Sequence, residues 1–459
     1  MSVRNRTLFS FALMVGLLLA VAFLQSWSVT LAILNLCLIS AIMALGVNIQ
    51  WGYAGLFNVG IMGFAALGGV AAVLVSKAPV VEAWSAGGGG LFVSLICIVF
   101  TVALSVFAYR RLPQGRNRVL CLSLIIVVGY FVTRYFADPA IAAIEAVDAA
   151  KTGYLGGMGL PIMFSWIAGG LFAAGAAWIV GKVALGLRSD YLAIATLGIS
   201  EIIIAILKNE DWLTRGVKNV SGLSRPVPYE VELQKNSWFP ELVEKLNADT
   251  LSSVALADRS GALQKLVIEY SSVFVKLCYA GLFALVLIVL LVLSAKALNS
   301  PWGRMMRAIR DNEVSASAMG KDITARHLQV FVLGSAVVGI AGAMLTTLDG
   351  QFTPGTYNPL RFTFLIWVMV IVGGSGNNLG AVLGGFVIWF FWIEAEPMGL
   401  WLVDALTSGF GDSSFIRIHM MENAQHMRLF LMGLVLLLVM RFSPGGILPE
   451  VVHRRKKEE

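Results

Sequence analysis

The sequence predicts an all-α fold: a polytopic membrane helical bundle of about 10–12 transmembrane helices with both termini cytoplasmic. Three observations predict it. Of 459 residues, 58% are hydrophobic and 13% charged, and the mean hydropathy is +0.80, whereas soluble domains run about 45–50% apolar and about 25% charged. Apolar runs approaching the roughly 20 residues of a spanning helix recur along the chain. The basic residues gather in alternate connections, as the positive-inside rule requires.

The opening "MSVRNR" leads into "TLFSFALMVGLLLAVAFL" with an Ala20-x-Ala22 pair, the outline of a cleaved signal peptide. An apolar run of about 18 residues is long for one, so a retained first span near 8–25 is predicted. Further runs fall near 29–50, 55–75, 91–108, 119–136, 162–186, 191–207, 273–297, 328–348, 362–374, 378–394 and 427–442. The pair 362–374 and 378–394, joined by "GGSGNNLG", reads as two crossings or as a re-entrant hairpin, and the orientation is the same either way.

Threading these spans from an inside N-terminus places Arg4 and Arg6 on one side. The same side receives Arg110, Arg111, Arg116 and Arg118, then Arg304, Arg307, Arg310, Lys321 and Arg326, and finally the tail "HRRKKEE". That side is predicted to be the cytoplasm. The facing loops are 208–272, read as periplasmic, and 395–426. The first carries eight Lys/Arg against nine Asp/Glu, a balance suited to a translocated loop whose length frees it from the charge rule. Neither loop has the periodicity of a separate core, so residues 1–459 form a single domain with a cytoplasmic polar loop at 298–327.

Composition excludes several functions. The net charge of +7 reflects the basic face and implies no nucleic acid. Cys37, Cys97, Cys121 and Cys278 lie unpaired in apolar runs and read as small hydrophobes. His327, His419, His426 and His453 are scattered and suggest no metal site. G-x-x-x-x-G-K-[ST], H-E-x-x-H and G-x-S-x-G are missing, so no P-loop nucleotide site, no catalytic residue and no cofactor is implied.

Ionisable groups in spans cost about 2.5–3.5 kcal/mol each at a helix centre, which makes them functional candidates. Glu201, inside "YLAIATLGISEIIIAIL", reads as a packing group or as a pathway residue. Arg134, Glu394, Lys77 and Lys182 lie near span ends, where they are predicted to snorkel. "GVNIQWGYAGLFNVGIMGFAALGG" sets Asn48 and Asn58 among Gly46, Gly52, Gly55, Gly60, Gly63, Gly68 and Gly69. It reads as small-residue helix packing or as a broken span lining a pathway. The functional reading puts the break near Gly52–Gly55.

"SPWGRMMRAIRDNEVSASAMGKDITARHLQVF" is the most telling polar stretch. Ser300 as N-cap and Pro301 at the first position start a helix. Trp302, Met305, Met306 and Ile309 recur at helical spacing opposite a basic row of Arg304, Arg307 and Arg310. Gly320 suits a C-cap and Thr324 a cap for the next span. The result is a basic amphipathic helix that either lies on anionic membrane lipid or docks a cytoplasmic partner. The chain has no energy source of its own, and a partner that hydrolyses ATP would need such a handle.

That stretch, together with "GVNIQWGYAGLFNVGIMGFAALGG", "SDYLAIATLGISEII", "LTRGVKNVSGLSRP", "VMVIVGGSGNNLGAVLGG" and "FSPGGILPE", resembles branched-chain amino acid ABC transporter permeases of the LivM type. The matches occur in the family's order from about residue 40 to 449. The resemblance implies an inner-membrane importer subunit of bacteria that works by ATP-driven alternating access. It also implies a second related permease, two ATP-binding subunits and a periplasmic substrate-binding protein. Arg304, Arg307, Arg310, Glu313 and Gly320 fall in the ATPase-coupling loop, and Gly52, Gly55, Asn58, Gly60 and Glu201 are candidates for the substrate pathway. "NEVSASAMG" follows the family's E-A-A…G pattern loosely: Ser315 and Ser317 replace small apolar residues, and Gly320 stands seven positions after Glu313. The stretches 109–160 and 228–272 fit the family poorly and read as insertions. Branched-chain amino acids are the implied substrates; urea, short amides or other amino acids are the alternative within the same architecture. A stand-alone ion-driven transporter would want more than one intramembrane carboxylate and an internal repeat, and a scaffold or channel is the remaining class.

Overall fold

The structure, a computed structural model, describes residues 3–148, 152–253, 255, 258–409 and 414–450. The predicted basic tail "HRRKKEE" lies outside the described residues. The long helices and the two of the polar loop are α1 (Val3–Leu24), α2 (Trp27–Ala54), α3 (Ile61–Ser76), α4 (Val81–Arg111), α5 (Arg116–Ala146), α6 (Met163–Ala184), α7 (Ser189–Asn209), α8 (Arg259–Asn299), α9 (Pro301–Asp311), α10 (Glu313–Ala318), α11 (Ile323–Asp349), α12 (Pro359–Gly373), α13 (Asn378–Thr407) and α14 (Met427–Phe442). Among the described residues nine helices are long and apolar enough to cross a membrane, with α3 and α12 as shorter apolar helices.

Several boundaries differ from expectation, among them the start of α4 at Val81 and the end of α5 at Ala146. The run near 55–75 becomes helical only at Ile61. The run near 362–374 is a helix of 15 residues. α13 continues through Pro397 to Thr407, past the predicted loop start at 395, and its far end is held by Arg417 on Asp404 (2.8 Å) and by Arg428 on Glu396. α8 starts at Arg259, inside the predicted 208–272 loop. Its early turns are covered by short helices that bury Leu233, Phe239, Val243 and Leu251. Gln234 donates to Ser271 (2.9 Å) and Tyr270 to Asn247 (3.1 Å) across that contact. Strands β1 (Val220–Ser221) and β2 (Gln351–Phe352) pair antiparallel at the same end.

α2, α3, α6, α11, α12 and α13 form the centre of the bundle. Lipid is as apolar as leucine, so close backbone approach and polar contacts hold such helices together rather than hydrophobic expulsion. Small residues supply that approach here: Gly68 of α3 abuts the Gly339 carbonyl of α11, and Gly339 abuts the Gly169 carbonyl of α6. α1 flanks the bundle through Met14, Leu18 and Val21, which pack with Leu383 and Phe390 of α13. α4 and α5 form a peripheral antiparallel hairpin. It stays helical through Gly87–Gly90, since backbone groups in lipid must be satisfied within the segment. Gly87 and Gly90 let α4 lie close to Ala140 of α5. Arg134 pairs with Asp138 on its surface at 2.9 Å.

The alternation of helices places the start of α1, the end of α2, the α4–α5 link, α9, α10, the start of α11 and the α12–α13 turn at one end, here called the basic end. Arg6 Nη2 reaching Ser443 Oγ at 3.5 Å ties the two chain ends together there.

Candidate functional site

The break in the third apolar run is the first part of the site. α2 ends at Ala54, and Gly55 takes the left-handed conformation (φ 72°). Gly55 donates to the Trp51 carbonyl (2.9 Å) and Leu56 to that of Gln50 (3.0 Å), closing the helix as glycine C-caps do. Residues 56–60 then run without helix, with Leu56, Asn58 and Gly60 buried, and buried backbone groups need protein partners. The partners are present. Val59 N–H donates to Thr196 Oγ1 (3.0 Å), Gly60 N–H to Asn58 Oδ1 (2.9 Å), and Trp367 Nε1–H to the Asn58 carbonyl (3.0 Å). Asn58 Nδ2 donates to Gln50 Oε1 (2.9 Å), while Gln50 Nε2 donates to the Phe331 carbonyl (2.9 Å) and Ser335 Oγ (3.1 Å). A side chain at Gly60 would put its Cβ 2.5 Å from the Thr196 carbonyl, so only glycine lets α3 begin against α7. Trp51, Phe57 and Trp367 cluster around the break with centroids 5.5, 5.2 and 4.6 Å apart.

The polar stretch after α8 forms two helices rather than one. Pro301 opens α9 as expected, but the Ser300 hydroxyl donates back to the Ala297 carbonyl (2.6 Å) and does not cap. Asn312 separates the helices and caps α10 by accepting from Ser315 N–H (2.9 Å). Gly320 ends α10 at φ 75°, as expected. Asp322, not Thr324, caps α11, accepting from Ala325 N–H at 3.0 Å; a carboxylate beside the helix N-terminus also answers its dipole. Gly303, Met306 and Ile309 bury the apolar face of α9, Arg304 is exposed and Arg307 is half-buried.

Arg310 joins the two parts. Its Nη1 donates to the Gly52 carbonyl at the end of α2 and pairs with Glu450 (3.0 Å), and its Nε pairs with Asp311 (3.0 Å). Burial pulls the guanidinium pKa down, but the hydrogen bonds and charges of Glu450 and Asp311 outweigh burial and hold it above the usual value. The "GGSGNNLG" turn completes the junction. Gly376 N–H donates to Asn48 Oδ1 (2.9 Å), and Asn48 Nδ2 donates to Asn378 Oδ1 (3.1 Å). The closing "FSPGGILPE" segment lies on the turn through Ile447 N–H to the Val372 carbonyl (2.8 Å) and Leu448 N–H to that of Gly373 (2.9 Å). Four stretches far apart in sequence therefore meet at the basic end. Beside them a vestibule of about 820 Å³ opens between Gly55–Phe57, the α6–α7 link, Glu313, Ser317 and Lys321.

Of the predicted pathway residues, Gly52, Gly55, Asn58 and Gly60 belong to this junction. Glu201 does not; it lies exposed on the outer face of α7. Glu313 is exposed, with His327 Nε2 3.8 Å from its carboxylate. Lys77 donates to the Gly222 carbonyl at 3.1 Å, and Lys182 lies over the Trp178 ring at 5.8 Å. Glu394 corrects an expectation: it is 4% exposed and accepts from Gln25 Nε2 at 2.8 Å, because the α1–α2 turn covers it and closes the route to the interface. Gln50, Thr196, Trp367 and Glu450 went unnoticed in the sequence. An uncharged amide within an apolar run was a usable signal for Gln50; nothing local marks Glu450.

The family described as "Branched-chain amino acid transport system / permease component" matches residues 29–440. The chain belongs to that family. The permease protein LivM of the high-affinity branched-chain amino acid transport system of Escherichia coli K12 is 25% identical over 353 residues, covering 76% of this chain and 69% of the relative. Its Salmonella typhimurium counterpart is 24% identical over the same length. A probable branched-chain amino acid transport permease protein LivM of Methanocaldococcus jannaschii is 28% identical over 155 residues, 34% of this chain and 41% of the relative. No solved structure matches significantly. The chain is thus a multi-pass inner-membrane transport permease component. Its break, its polar loop and its "GGSGNNLG" turn lie within the matched region, whereas Glu450 lies beyond it.

Proposed function

We propose that this chain is one permease subunit of an ABC importer for branched-chain amino acids. The importer comprises a second, related permease, two ATP-binding subunits at the basic end and a substrate-binding protein at the opposite end. The basic end is cytoplasmic, so both termini lie inside. The observation that carries the reading is the Arg310–Gly52 contact, which links the polar loop directly to the broken span. A partner that pushes α9 and α10 would move the Gly55–Gly60 segment and the vestibule beside it. Alternating access needs such a link, because a ligand or partner shifts an equilibrium only through contacts that differ between states.

Two measurements test this. A cysteine placed at Ser317 of α10 should crosslink to an ATP-binding subunit and resist a membrane-impermeant thiol reagent applied outside whole cells. Labelling of that cysteine from outside would overturn the orientation and the docking role together. The double substitution Arg304→Glu, Arg307→Glu should lower amino-acid uptake about tenfold or more while the subunit still inserts, as loss of charge-complementary contacts costs several kcal/mol. Uptake at the unmodified rate would refute the docking surface.

A further inference from the structure

A second cavity, of about 200 Å³, lies away from the basic end between α2, α3, α11, α12 and α13. Its wall is mostly aliphatic and thioether, with Leu345 from α11 and Ile366 and Met369 from α12, and Phe362 and Trp389 add aromatic rings to it. Its polar groups are few. Asp349, the last residue of α11, and Thr356, in the link to α12, stand together where the cavity meets the opposite end, and Ser40 lies on the α2 wall. Asp349 and Thr356 are exposed. Polarity therefore runs from a carboxylate and a hydroxyl at the mouth to an apolar floor. A water-sized group needs about 10–15 Å³, so the cavity takes roughly a dozen, enough for the heavy atoms of a leucine. Phe57 lines the vestibule and packs edge-on against Trp367 (4.6 Å), the residue that follows Ile366 of the chamber wall in sequence.

We infer that this chamber is a resting site for the transported amino acid, with the α-ammonium on Asp349, the carboxylate on the Thr356 hydroxyl, and the branched side chain on the floor formed by Leu345, Ile366 and Met369. The inference rests on the importer reading above and narrows its substrate class. A zwitterion carrying a compact aliphatic body matches both ends of the chamber. Urea and short amides have no apolar body for the floor and no ammonium for Asp349.

The test uses the complete importer in proteoliposomes, with its partner permease, ATP-binding subunits and binding protein, and measures competitive import of leucine and phenylalanine. Asp349→Asn should lower leucine import about tenfold, by removing the charge that faces the α-ammonium. Met369→Ala, which deepens the floor, should raise the phenylalanine-to-leucine ratio about tenfold, the scale of discrimination by a few methylenes. A merely structural role at Met369 would lower both rates and leave the ratio unchanged. A cysteine at Thr356 should react with an impermeant thiol reagent from outside, slowed by leucine and not by urea. An importer that moves no branched-chain amino acid even without substitutions overturns the broader reading. Import by the unsubstituted complex, combined with an unshifted ratio in Met369→Ala and unprotected labelling at Thr356→Cys, overturns the chamber alone.

Discussion

Helices α2 and α4 are apolar to a similar degree, with mean hydropathy of 2.3 and 2.7 over their most apolar windows, yet 78% of the first window is buried and 11% of the second. Their polar residues explain the difference. α2 carries Asn35, Asn48 and Gln50, whose amides reach out to Lys276 of α8, Asn378 of α13 and Phe331 of α11. On α4, Ser94 and Thr101 donate to the carbonyls of Leu91 and Cys97 within their own helix, each at 2.7 Å. A helix that satisfies itself can face lipid, whereas one with reaching amides must be surrounded by protein, because an unpartnered polar group in hydrocarbon costs several kcal/mol. Hydropathy marks what enters the membrane; amides that reach other helices mark what is buried there.

Substitutions can break that contrast or sharpen it. Gly60→Leu should have the largest effect, because a Cβ there meets the Thr196 carbonyl at 2.5 Å. Overpacking of this kind costs roughly 1–3 kcal/mol or more, and uptake should vanish in a proteoliposome assay; retained uptake would mean that the α3–α7 contact is not obligatory. Gln50→Leu comes next. It strands Asn58 Nδ2 and takes the donor from Ser335 Oγ, at about 1–3 kcal/mol for unsatisfied buried groups, visible as a lowered unfolding midpoint and about tenfold slower uptake. Arg310→Ala should cost less, about 1 kcal/mol after allowing for solvent screening, since its side chain is 23% exposed; uptake should fall severalfold, and an unchanged rate would detach the polar loop from the broken span. Phe100→Ala on α4 should do least. That ring is 66% exposed, and surface changes lie within about 0.5 kcal/mol. A loss as large as that of Gln50→Leu would show that α4 is covered by a protein partner rather than by lipid.

Much of the junction was legible one strand at a time. The glycine-broken run, the Pro301 helix start, the "GGSGNNLG" turn and the closing "FSPGGILPE" each stand out in the sequence. Their meeting does not, because the contacts link positions hundreds of residues apart, as Arg310 does with Gly52. The sequence presents Arg304, Arg307 and Arg310 as one basic row, but Arg310 turns toward Glu450 and the Gly52 carbonyl. The position of Glu394 near the end of its apolar run predicts the interface, and the covering Gln25 is not visible from that position.

Composition and periodicity by themselves determined that this chain is a helical membrane protein, roughly where its spans lie and which connections are basic. Those properties follow from transfer between water and lipid, which acts on each segment separately. Tertiary structure alone decided which apolar helices are buried and what Arg310 holds. Inside a bilayer those outcomes depend on close approach and on hydrogen-bond partners supplied by other helices, and no single segment carries that information.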